Sequence, residues 1–149
     1  MKGASMERHA SVSLRRGQVY VQSKAQTVNG VYRIGRVVGA SAVSDLVNIG
    51  KHVRLALEGF RAGLPHEVDS GEDIGSYESF GVKSWREYIK GVKYVTVRQV
   101  GQTLELVPWR NQGARRGFVP TKNHDVIISN YASDIEIGAA LLEALAAAE

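Results

Sequence analysis

The chain has 149 residues, the span of one domain, and at 44% hydrophobic and 23% charged residues it is too apolar for disorder. It has no cysteine, which excludes disulfide frameworks, thiolate metal sites and cysteine nucleophiles and fits a reducing compartment. Its net charge of +4 is unevenly spread: residues 64–82 hold Glu67, Asp69, Glu72, Asp73 and Glu78 and no Lys or Arg, so that segment carries −5 and the rest +9. Such a protein presents two faces of opposite sign if the segment folds onto one side. The first residues, with Lys2, Glu7 and Arg8 and no apolar stretch, read as a flexible leader over 1–9 rather than a signal peptide. No run approaches the roughly 18 apolar residues of a membrane span. The expectation is a single domain, 1–149, in the cytoplasm.

The first third reads as strands. Val12 and Leu14 alternate on one side, Arg16-Gly17 signals a turn, and Val19 and Val21 resume the alternation. Asn29-Gly30 marks another turn before a third strand or irregular edge from Val31 to Val38. A helix then begins at Ser44 or Asp45, either of which can accept backbone N–H bonds. Its apolar face is Leu46, Ile49, Val53, Ala56 and Leu57, and Gly59, Gly63 and Pro65 stop it. Residues 62–82 read as a long surface loop with a short turn around Asp73 to Phe80, a length uncommon in a compact domain and more often functional or mobile. Ser84 with Glu87 suggests a capped short helix through Lys90, with Trp85, Tyr88 and Ile89 as its apolar face.

Val92 to Val100 and Thr103 to Val107 alternate around Gly101-Gln102 as a hairpin, which Pro108 is expected to end. Residues 109–117 read as a loop, and Phe118 to Pro120 and Asp125 to Ser129 as short strands. Ser133 with Glu136 caps a final helix, Ile135 to Ala148, apolar nearly all round and so expected to be largely buried. Ile49-Gly50, Val53, Ala56-Leu57 and Ile137-Gly138, Leu141, Ala144-Leu145 share one spacing. A glycine inside a helix costs about 0.5–1 kcal/mol relative to alanine. The expected compensation is close approach of each helix to a sheet.

Little catalytic chemistry is legible. The histidines His9, His52, His66 and His124 are dispersed, and only His66 to Asp69 and His124-Asp125 place an imidazole near a carboxylate, without metal-ligand spacing. No phosphate loop or nucleophile elbow is present. No cofactor, metal site or enzymatic activity is expected. Two binding features stand out. Arg110, Arg115 and Arg116 flank Trp109 and Phe118, a mixture that suits nucleic acid through phosphate contacts and stacking, though no recognition motif accompanies it. The acidic segment suits a basic protein partner, where complementary charge raises association rate and enforces partner choice.

The second half carries a further pattern. Gly81-Val82-Lys83-Ser84-Trp85-Arg86-Glu87-Tyr88, then Lys93-Tyr94-Val95-Thr96-Val97, Leu106-Val107-Pro108, Gly117-Phe118-Val119 and the Ile137 to Leu145 helix follow one another in a characteristic order. This order resembles a family of immunity proteins from bacterial contact-dependent growth inhibition systems, over roughly residues 44–146. Isoleucine stands before both helix glycines where the family usually has leucine. The motifs that match are scaffold motifs, so none carries a binding residue across.

The residue reading and the resemblance together lead to an α+β fold: a mostly antiparallel twisted β-sheet packed by two long helices and one short one. The resemblance implies a protein that binds and neutralises a cognate toxin C-terminal domain, expected to be a nuclease, by covering its active site or blocking its substrate. Such toxins are frequently basic and their immunity proteins acidic. A net charge of +4 therefore means either that the acidic segment supplies the matching patch locally or that this toxin is not strongly basic. The candidate partner-binding residues are Glu67, Asp69, Glu72, Asp73 and Tyr77 in the acidic segment, with Trp109, Arg110, Arg115 and Arg116 as a second patch. An exposed strand edge is a further candidate. A basic nucleic-acid-binding module is the alternative.

Overall fold

The computed structural model describes residues 7–30, 32–64, 84–121 and 124–149. Eight strands and three helices are found among them: β1 (Arg8–Arg15), β2 (Gln18–Thr27), β3 (Tyr32–Ala42), α1 (Leu46–Glu58), β4 (Arg61–Leu64), α2 (Trp85–Ile89), β5 (Lys93–Val100), β6 (Thr103–Asn111), β7 (Phe118–Pro120), β8 (Val126–Ser129) and α3 (Asp134–Ala147). The sheet runs β3-β2-β1-β5-β6-β7, with β8 also paired to β6 and β4 paired to β2. Every pairing is antiparallel except β2 with β4.

Turn and capping chemistry sets the framework. Gly101, at φ 57°, turns β5 into β6 and aligns Val100 with Thr103. Asp45 accepts from the Asn48 amide at the start of α1, and Gly59 caps its end. Ser133 and Glu136 complete a reciprocal capping box on α3, with bonds of 3.2 and 2.7 Å. Cross-strand register then sorts the side chains by face. Ala10, Val12, Val21, Val95, Val97, Leu104 and Leu106 are all buried on the face that α1 and α3 cover with Ile49, Val53, Leu57, Ile137, Leu141 and Leu145.

Several expectations need correction. The two long helices are not found: only two of the three described helices exceed seven residues, and at 13 and 14 residues they have ordinary length. The sheet dominates instead, because both helices stop where their caps stop them. The final helix is also not buried all round. Its face bearing Ile135 (51% exposed), Glu136, Ala139 and Glu143 is exposed, while the opposite face packs against α1 and the sheet. Arg8 and His9, assigned to a flexible leader, are the first residues of β1. Residues 62–64, assigned to the long loop, belong to β4; the remainder of that expected loop lies outside the described residues.

Pro108 does not end its strand, which continues to Asn111. Its carbonyl accepts from both the Thr121 amide (3.0 Å) and the Thr121 hydroxyl (2.9 Å), so it points away from β5. A strand residue presents its nitrogen and oxygen to the same edge. The missing N–H therefore faces the β7 side and removes no bond to β5.

The paired glycines also act differently from expectation. A Cβ built on Gly50 would lie 2.6 Å from the carbonyl carbon of Asp134, and one on Gly138 would lie 2.9 Å from that of Leu46. Each glycine thus admits the first turn of the other helix, and the close approach is helix to helix rather than helix to sheet. Arg54 fastens the same junction by donating to the Asn130 side chain and to the backbone oxygens of Asn130 and Ala132, at 3.2, 2.6 and 2.8 Å.

Candidate partner-binding site

The face of the sheet opposite α1 and α3 is polar and aromatic. Ser11, Ser13 and Gln22 are buried there. Ser11 shares a 2.8 Å hydrogen bond with the Tyr94 hydroxyl, and Ser13 shares one of the same length with Tyr88. These bonds satisfy hydroxyls that would otherwise be costly to bury. Tyr94 stacks on Phe118 at 4.7 Å and meets Trp109 edge-on at 5.8 Å, while Trp85 lies 5.6 Å from Tyr88 and 6.2 Å from Phe118. These rings seat α2 and the β6–β7 loop on the sheet.

Burial sets the titration of this layer. It pushes the Tyr94 phenol far above its usual range and raises Tyr88 as well, in each case against the effect of the serine hydrogen bond. It also lowers Lys24 to about 8 and, with Lys24 itself, lowers His9. Because folding raises the Tyr94 pKa, its contribution is fully present below pH about 10 and is lost as pH rises beyond that. Tyr94→Phe should cost about 1–2 kcal/mol at neutral pH by stranding the Ser11 hydroxyl. The variant should also lose less stability than the parent above pH 10. Urea unfolding of both proteins across that range checks both effects, and the comparison cancels the Lys24 contribution.

The predicted site residues divide clearly. Glu67, Asp69, Glu72, Asp73 and Tyr77 lie outside the described residues. Trp109 and Arg110 lie in β6 rather than in a loop. The Trp109 indole is turned inward, donating to Thr96 Oγ1 at 2.9 Å beside Tyr94. Arg110 is exposed and donates through Nε to Glu149 at 3.1 Å. Arg115 and Arg116 are exposed in the turn before Gly117. That turn is fixed, because Gln112 N donates to Gly117 O, Gly117 N to Gly113 O, and the Trp85 indole to Ala114 O.

Sequence reasoning missed three partners of this patch, Arg86, Lys90 and Lys93. Asn111 brings them in: its side-chain amide donates to Ile89 O (2.7 Å) and Val92 O (3.0 Å), tying the end of α2 to β6. The signal available was the four-residue spacing of Arg86 and Lys90, which puts both on one helix face. One end of the sheet thus gathers these three with Arg110, Arg115 and Arg116, beside Arg15 and Arg16 at the β1–β2 turn.

The histidines stay apart. His9 pairs with Glu7 and packs on Phe60, His52 bonds Ser41, His124 is exposed, and His66 lies outside the described residues. No group of three metal-ligating side chains gathers among the described residues, and no helix there is long and apolar enough to cross a membrane.

Comparison with known proteins places this arrangement. The family model described as CDI immunity protein matches residues 75–148, a stretch that contains the whole basic end of the sheet. Two solved structures share the fold across nearly the full chain. One is a Neisseria meningitidis protein of unknown function, with a TM-score of 0.79 and 20% identity, covering 100% of this chain and 99% of that one. The other is from a CdiA-CT/CdiI toxin and immunity complex of Yersinia pseudotuberculosis, with a TM-score of 0.78 and 19% identity, covering 99% of this chain and 100% of that one. Comparison with curated protein sequences finds no match. The family match in the second half, joined to the motif order around Trp85 and Tyr94, identifies the chain as an immunity protein of a bacterial contact-dependent growth inhibition system.

Proposed function

We propose that this immunity protein neutralises its cognate toxin domain by binding alone, without catalysis, in the cytoplasm of the cell that makes it. Binding covers the toxin's active site or blocks its substrate, and the toxin is a nuclease. The observation that carries this reading is the family match over residues 75–148, which takes in α2, the β5–β6 hairpin, the basic end and α3. The protein offers a partner two regions of opposite sign: the acidic segment from Glu67 to Glu78, and the basic end with Arg110, Arg115 and Arg116. Both are interface candidates, and Trp109 supports the second from beneath rather than by touching the partner.

The active cognate toxin, assayed with and without an equimolar amount of this protein, should lose its activity. An unrelated toxin of the same chemistry should keep it. Undiminished activity of the cognate toxin would overturn the reading.

A further inference from the structure

We propose, resting on the immunity reading above, that the cleft between α2 and the β6–β7 loop receives an acidic segment of the partner toxin. The cleft has a volume of about 470 Å³, within the range of binding pockets, and Ile89 and Val92 give it an apolar base. Arg86, Lys90 and Lys93 supply its charge. Neither Arg86 nor Lys90 pairs with a carboxylate among the described residues, so both are available to an incoming one.

The groups that would repel an anion are already engaged. The carbonyls of Ile89 and Val92 accept from Asn111. Glu149, the one acidic residue among the described residues lining the cleft, accepts through its side chain from Arg110 at the rim. Lys93 is held in place by donating to Ala148 O at 2.9 Å, and an ammonium group has three donors, so two remain. Arginine adds a planar fork suited to a carboxylate.

A short peptide segment bearing Asp or Glu matches these features better than a nucleic acid. The cations converge on one pocket with an apolar base instead of tracking along a backbone, and Glu149 would oppose a continuous polyphosphate. Complementary charge here adds partner discrimination to whatever the acidic segment contributes elsewhere.

The test is calorimetric titration of a catalytically inactive cognate toxin domain with the parent protein, with the Arg86→Glu/Lys90→Glu variant and with Arg115→Glu/Arg116→Glu. The altered side chains are exposed, and an unchanged thermal midpoint verifies folding. Lys90→Gln serves as a milder second variant. The cleft variant should lose at least about tenfold in affinity at low salt, Lys90→Gln less, and the Arg115/Arg116 variant least. Equal binding by the parent and the cleft variant would overturn the cleft proposal and leave the immunity reading intact. Absence of binding by the parent would instead remove the immunity reading itself. Loss of generic RNA binding by the cleft variant with toxin affinity unchanged would assign the cleft to nucleic acid and likewise overturn the proposal.

Discussion

Gly138→Ala should destabilise the protein by about 2–3 kcal/mol, and Gly138→Val by about 3–5 kcal/mol. Helix propensity alone predicts the opposite sign, since alanine is better than glycine inside a helix by about 1 kcal/mol. Packing decides the outcome. The added Cβ would meet the backbone of Leu46, which cannot rotate away as a side chain could. The two helices would have to separate, withdrawing Ile49, Ile137 and Leu141 from contacts that are now fully closed to solvent or nearly so. Gly50→Ala meets the Asp134 backbone at the reciprocal position and should cost a similar amount. Because both changes open one junction, the double variant should cost less than the two single costs combined. Denaturant unfolding measures all three, and a neutral or stabilised Gly138→Ala would show that the helices do not meet as described.

Reversing Glu67, Asp69, Glu72 and Asp73 to lysine should slow association with the toxin by roughly tenfold to a hundredfold at low salt, with a smaller effect as salt rises. These four residues hold most of the protein's concentrated negative charge, and the rest of the chain is basic. Long-range charge acts chiefly on encounter, so stopped-flow association rates are the sensitive measurement. Under the nucleic-acid alternative the same variant would bind generic RNA equally well or more tightly. Toxin association that survives the reversal at both low and moderate salt would remove the acidic segment from the interface.

Local chemistry was the most legible part of the sequence. The Gly101 turn and the Ser133–Glu136 box each depend on a few adjacent residues, and both occur where the pattern indicated. The glycine spacing of the two larger helices was visible too, but it shows only that a helix face lacks a Cβ. It cannot show whether a sheet or another helix lies against that face, and here it is a helix. Pro108 misled for a related reason: whether a proline ends a strand depends on which edge its nitrogen faces, and that is set by Thr121 and β7. The basic end was half legible. Arg110, Arg115 and Arg116 lie together in sequence, whereas Arg86, Lys90 and Lys93 join them only in the fold, through the Asn111 bridge to Ile89 and Val92, the Trp85 bond to Ala114 and the pairing of β5 with β6.

The central claim, recognition of one cognate toxin, is tested most directly by calorimetric titration of the purified protein with the catalytically inactive toxin domain encoded immediately upstream. One-to-one binding in the nanomolar range, with none to an unrelated toxin, is the predicted result. No heat and no co-purification with a folded cognate toxin would contradict it, and the shared fold would then carry no shared function.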